Sequence, residues 1–111
     1  MKTESKPGLP LESVRVLAVE QYGAGPFGTM SLADLGADVV KIEDRKSGGD
    51  FARSIGPYFV PGDDGDESEF FHSYNRNKRS FTVDLTTEAG QQVFHELVKS
   101  ADVVASNLRG D

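Results

Sequence analysis

Residues 14–43 read VRVLAVEQYGAGPFGTMSLADLGADVVKIE, and this stretch decides the fold. An apolar run (Val14, Val16, Leu17, Ala18, Val19) leads into Gly23-Ala24-Gly25-Pro26-Phe27-Gly28. Phe27, Met30, Leu32, Ala33 and Leu35 then form a helical pattern. Gly36 ends that helix, because glycine tolerates the left-handed conformation at a helix C-terminus. A second apolar run, Val39-Val40-Lys41-Ile42, closes on Glu43. Strand, glycine turn, helix and strand within about 30 residues predict a βαβ unit with parallel strands and a right-handed crossover.

The glycine turn has a physical use. Gly23 and Gly25 let the backbone come close to a ligand, and Pro26 suits the first helical turn, where no N–H is required. The exposed N–H groups at the start of that helix favour an anion or a carbonyl oxygen. Such a site lies beyond the carboxyl ends of the strands. Gly23-x-Gly25-x-x-Gly28 is also a literal G-x-G-x-x-G, and Glu43 follows Gly23 by 20 residues. That spacing is the fingerprint of an NAD- or FAD-binding module. Glycines serving only a tight turn and close helix packing are the plainer alternative.

Composition narrows the field. With 111 residues the chain is one small domain's worth of sequence, and its net charge of −6 argues against a broad nucleic-acid surface. It has no cysteine, so disulfides, zinc-thiolate sites and a cysteine nucleophile are excluded. The opening MKTESKPGLPLES has no apolar core of signal-peptide length, and no run approaches a membrane span. No membrane partner is therefore expected, and a cytoplasmic location is the simplest expectation. Residues 1–13, rich in Lys, Pro, Gly and Ser, read as a flexible leader. The chain stops just after an apolar strand-like run, so residues 14–111 are expected to be the N-terminal part of a longer protein. The terminal Arg109-Gly110-Asp111 spells an integrin-binding tripeptide, read here as chance.

From Asp44 to Glu69 regular patterning lapses into an ordered surface excursion, long for a loop and hence a candidate for function, with a short strand near Tyr58–Val60. Arg45, Lys46 and Arg53 sit early in it; Asp63, Asp64, Asp66, Glu67 and Glu69 sit late. The late acids miss the EF-hand spacing, so they read as a solvated tip and no metal site is assigned. Ser68 caps a short helix over 69–74, with Phe70, Phe71 and Tyr74 toward the core and His72 on the other face. A basic turn, residues 75–80, precedes a strand near 80–85 in which Phe81, Val83 and Leu85 alternate with Thr82 and Asp84. Thr86 or Thr87 caps a helix from Glu88 to about Ser100, with Val93, Phe94, Leu97 and Val98 as its buried stripe. His95, on its polar side, is assigned no role. A last strand covers 102–107. The alternation predicts an α/β, Rossmann-like fold: a mostly parallel sheet with helices on both faces.

Two stretches carry a further signal: AGPFGTMSLADLGADVVKIE, and SYNRNKRSFTVDLTTEAGQQVFHELVKSADVVASN. In order, spacing and wording they resemble the N-terminal part of the class III CoA-transferases, a family that includes formyl-CoA transferase, carnitine CoA-transferase and α-methylacyl-CoA racemase. The resemblance covers about Leu11 to Asp111. It implies a Rossmann-like fold with no nicotinamide and no permanently bound cofactor, in which coenzyme A or an acyl-CoA is a substrate whose nucleotide part lies across the strand ends. Gly23 and Ala24 would contact CoA through the backbone. The family often carries an Arg directly after the Glu that ends the second strand; here Asp44 fills that position and Arg45 is expected to substitute. Val83, Asp84, Leu85 and Thr86 would lie near the adenine, and Asn107, Leu108 and Arg109 near the pantetheine. Leu108 and Arg109-Gly110-Asp111 depart from the family's usual aromatic and Pro-Gly at this place.

CoA carries several phosphate charges, and Arg45, Lys46, Arg53, Arg76, Lys78 and Arg79 are the cations available to meet them. Arg76, Lys78 and Arg79 have a plainer alternative, solvation or pairing with the acids at 63–69. Mechanism enters through the resemblance alone: an aspartate attacks the acyl-CoA thioester, giving an acyl-aspartyl anhydride and free CoA thiolate. That aspartate is expected beyond residue 111, since Asp34, Asp38, Asp84 and Asp102 do not stand in its motif and read as local structural residues. The 111-residue chain alone is thus expected to be catalytically inert. The resemblance further implies that the full protein moves CoA between acyl-CoA and a small carboxylic acid and forms an interlocked homodimer. The shorter chain should then expose apolar surface. An acyl-CoA racemase of the same family is the alternative within it.

Overall fold

The computed structural model describes residues 7–63 and 65–110. In chain order it contains β1 (Arg15–Val19), α1 (Ala24–Asp34), β2 (Asp38–Glu43) and a 3₁₀ turn at Phe51–Ser54. β3 (Val60–Gly62), β4 (Gly65–Glu67), α2 (Glu69–Asn75), β5 (Lys78–Thr82), α3 (Glu88–Val98) and β6 (Val103–Ser106) follow. β5, β2, β1 and β6 form one sheet in that order, with every pairing parallel. The chain steps outward from β1 through β2 to β5 and then returns to the other side of β1. The order therefore reverses between β1 and β6, which is where open α/β sheets place their ligand crevice.

The central strands are covered on both sides, which accounts for their near-continuous apolar runs. Val16, Ala18 and Val39 pack with Ala33 and Ala37 on the α1 side. Leu17, Val40 and Ile42 pack on the opposite side with Phe81, Val83, Leu85 and α3's Phe94 and Leu97. α2 packs against α1. Helices thus lie on both faces of a parallel sheet, as the strand–helix rhythm requires.

Local signals act where their chemistry predicts. After α1 Gly36 has φ 106°, and Gly36 N–H and Ala37 N–H bond to the carbonyls of Ala33 and Leu32, a Schellman ending. Ser68 Oγ accepts from Phe71 N–H at 3.0 Å and Thr87 Oγ1 from Gly90 N–H at 3.0 Å, so both helix caps form.

The structure corrects other expectations. α1 starts at Ala24, and its buried face is Pro26, Thr29, Met30 and Ala33, while Phe27 and Leu35 stay exposed. In α3, Phe94 and Leu97 pack inward but Val93 and Val98 flank that face and remain exposed. The excursion holds an antiparallel hairpin, β3 with β4, in place of a lone strand at 58–60; Asp64 lies outside the described residues. The third parallel strand is β5 at 78–82, against an expected 80–85. Its ladder with β2 begins at Lys78 because Lys78 and Arg79 meet carboxylates at the neighbouring strands, Glu20 directly after β1 and Asp38 at the start of β2. Of the expected leader, residues 1–6 lie outside the described residues. Residues 7–13 form turns, with Leu11 N–H bonded to Leu35 O at 2.9 Å.

Candidate functional site

At the carboxyl end of β1 the chain turns sharply into α1. Tyr22 adopts φ 71°, a left-handed conformation uncommon for a non-glycine residue, and its N–H bonds to Asp50 Oδ1 at 3.0 Å. Gly23 caps α1 without a side-chain hydrogen bond, and the N–H groups of Gly23, Ala24 and Gly25 make no bond to a described residue. Gly25 is required sterically: a Cβ there would stand 2.6 Å from Asn107 Cγ. Asn107 crosses from the end of β6 and grips the end of β1, accepting from Gln21 N–H at 3.0 Å and donating to Gln21 O at 2.9 Å. The reversal point between β1 and β6 is thus pinned by one amide side chain.

Beside this turn a cavity of about 160 Å³ opens across the strand ends. Val19, Ile42, Val83, Leu85 and Leu108 give it apolar walls, and Glu43, Asp84 and Thr86 add polar groups. Val83, Asp84, Leu85, Thr86 and Leu108 are therefore gathered at one place. Arg45 borders an adjoining depression shared with Lys46, Thr82, Val83 and Asp84. Gly23 and Ala24 stand on the neighbouring turn, Asn107 faces Gln21, and Arg109 lies outside the cavity lining.

The six candidate cations separate sharply. Arg53 makes a forked pair with Glu43, Nε and NH2 each at 2.8 Å from its oxygens. Arg76 pairs with Asp34 at 2.6 Å and Arg79 with Asp38 at 2.7 Å. Lys78 is buried against Glu20 at 2.7 Å. None of these three pairs with a described acid of the 63–69 stretch. Lys46 lies 2.8 Å from Asp84, with both groups near the surface. That contact, with the hydroxyl and N–H of Thr86, holds the Asp84 carboxyl down at about 2. Arg45 is exposed, and its guanidinium makes no ion pair with a described residue. Asp44, in the position where an Arg was expected, accepts from Lys46 N–H at 2.9 Å and shapes the turn that presents Arg45.

Glu43 bears on the dinucleotide reading. A dinucleotide fold uses the acid ending its second strand to hold a ribose hydroxyl. Here Glu43 is 5% exposed and engaged by Arg53, Asp50 N–H at 2.9 Å and Ser80 Oγ at 2.5 Å. Burial opposes its ionisation, yet these donors outweigh it and hold the carboxyl at about 2. A ribose would have to displace that whole set. The aspartates read as structural have internal partners too: Asp34 and Asp38 as above, Asp84 on Lys46, and Asp102 accepting from Arg15 N–H at 2.9 Å.

Sequence reasoning passed over two residues beneath the turn, Glu20 and Asp50, each 2% exposed. The available signal was Lys41, a charge inside an apolar strand. Buried lysines take partners, and Lys41 Nζ lies 3.1 Å from Glu20 and 2.7 Å from Asp50.

The sequence signature of CoA-transferase family III matches residues 11–111. This chain belongs to CoA-transferase family III. It is 46% identical over 99 residues to the succinyl-CoA:mesaconate CoA-transferase of Haloarcula hispanica, covering 89% of this chain and 24% of that protein. It is likewise 46% identical over 98 residues to the succinyl-CoA:glutarate CoA-transferase of Mus musculus, covering 88% of this chain and 21% of that protein. The crystal structure of a CaiB/BaiF family protein from Brucella suis superimposes with a TM-score of 0.82 at 40% identity, over 90% of this chain and 26% of that one. The chain thus spans about a quarter of the length of these relatives.

Proposed function

We propose that this chain is the CoA-binding N-terminal segment of an acyl-CoA:carboxylate CoA-transferase. The observation that carries the reading is the meeting of an apolar cavity at the strand ends with Arg45, whose charge is not neutralised by a described neighbour. An adenine ring fits apolar walls, and a guanidinium at the rim suits a phosphate. The N–H groups at Gly23–Gly25, bonded to no described residue, offer donors to a ligand's oxygens. The two relatives are a succinyl-CoA:mesaconate and a succinyl-CoA:glutarate CoA-transferase, which supports a small carboxylic acid as the second substrate.

In this reading a carboxylate beyond residue 111 attacks the thioester carbonyl. The C–S bond breaks as the anhydride C–O bond forms, and the sulfur leaves as the CoA thiolate. In the same reading the present chain supplies binding and orientation of the CoA thioester. Calorimetric titration with CoA and, separately, NAD tests the assignment. CoA binding without an NAD response is expected; tight NAD binding with no response to CoA reverses it.

A further inference from the structure

The glycine turn rests on a buried array of charges. Glu20 Oε1 accepts from Thr29 Oγ1 at 2.5 Å, and Oε2 lies 3.1 Å from Lys41 Nζ and 2.7 Å from Lys78 Nζ. Lys78 Nζ also donates to Pro26 O at 2.9 Å and to Asn75 Oδ1 at 3.1 Å. Lys41 continues to Asp50, whose Oδ1 accepts from the N–H groups of Tyr22 (3.0 Å) and Ala52 (2.8 Å). Two lysines thus face two carboxylates, and Lys41, Glu20 and Asp50 are almost wholly enclosed.

Ion pairs in such a place gain little stability over apolar packing, because desolvation offsets their attraction. What they do supply is geometry. The main chain from Glu20 to Pro26 is held at the Glu20 side chain, at Tyr22 N–H and at Pro26 O. The holding groups come from β2, the segment after it, α2 and β5. The left-handed Tyr22 is held by its N–H bond to Asp50 and by the stacking of its ring on Phe51 and Phe70; such a conformation survives only where its surroundings over-determine it.

We infer that Lys78 and Asp50 are positioning residues, which hold the Glu20–Pro26 turn so that the N–H groups of Gly23, Ala24 and Gly25 point outward to the bound ligand. Neither touches that ligand. The inference rests on the CoA reading for the ligand's identity, but the held turn itself does not.

The test compares four variants of the chain, the fourth being Lys78→Arg. Lys78→Met removes the ammonium from Glu20 and Pro26 O. Asp50→Asn keeps the shape and loosens the tie to Lys41. Arg79→Met breaks a different ion pair, on Asp38, away from the turn. Amide NMR without ligand and CoA titration are read together. Lys78→Met and Asp50→Asn should shift the Gly23, Ala24 and Gly25 amide signals and weaken CoA binding about tenfold. Lys78→Arg should restore part of the affinity, and Arg79→Met should leave both readouts in place while lowering the melting temperature. If Lys78→Met does not fold, Asp50→Asn decides. Unmoved amide signals in the folded variants, or equal CoA loss in Arg79→Met, overturn the inference. A wild-type chain that ignores CoA refutes the ligand assignment instead, and the ligand-free amide signals still judge the held turn.

Discussion

Residues 45–46 and residues 76–79 are both basic stretches beside a strand, and in the sequence they look interchangeable as phosphate contacts. The fold sets one residue apart: Lys46 meets Asp84 at 2.8 Å, as the later cations meet their own acids, and Arg45 meets no described acid. Arg76, Lys78 and Arg79 each find a carboxylate brought from at least 40 positions away: Asp34, Glu20 and Asp38. Arg45 finds none among the described residues and borders the open strand ends. A cation's availability to a ligand is therefore set by which acids the topology folds beside it, and local composition carries no trace of that.

The sharpest way to break the comparison is at Lys78. Lys78→Met should lower unfolding free energy by about 3–5 kcal/mol in urea denaturation, because Glu20 loses one of two buried countercharges. Arg79→Met should cost less, about 1–2 kcal/mol, since Asp38 keeps Arg15 at 2.9 Å. Glu43 makes the same point through pH. Its folded carboxyl titrates at about 2 against an ordinary 4.5, so the stabilisation is complete above 4.5 and is lost as pH falls from there toward 2. Glu43→Gln should be less stable near neutral pH and should flatten the urea midpoint over that acid window; an unchanged slope would refute the role given to Arg53, Ser80 and Asp50 N–H. Arg45→Ala should produce the smallest stability change, within about 0.5 kcal/mol.

Much of the scaffold was legible because its determinants are local. Gly36, Ser68 and Thr87 act within four residues of themselves, and the βαβ unit follows from apolar spacing and one glycine turn. The hairpin at 60–67 was not legible: Pro61 and a string of acids carry no period-2 apolar signal, since among its described residues only Val60 and Gly62 are even half-buried. The start of β5 was missed for a related reason. Lys78 and Arg79 read as solvent-facing turn residues until Glu20 and Asp38 are seen beside them. The site divides in the same way. The glycine turn announced itself, whereas Glu20 and Asp50 beneath it were hidden, because a buried charge is recognised by its partners rather than by its neighbours in sequence.

The central claim is that Arg45, left without a partner among the described residues at the strand ends, meets a phosphate of CoA. Calorimetric titration of CoA into the wild type and Arg45→Ala, repeated across salt concentrations, tests it most directly. The account predicts weaker binding in the variant and a shallower dependence of affinity on salt, with the melting temperature unchanged. Equal affinity and equal salt dependence in the two proteins would contradict it.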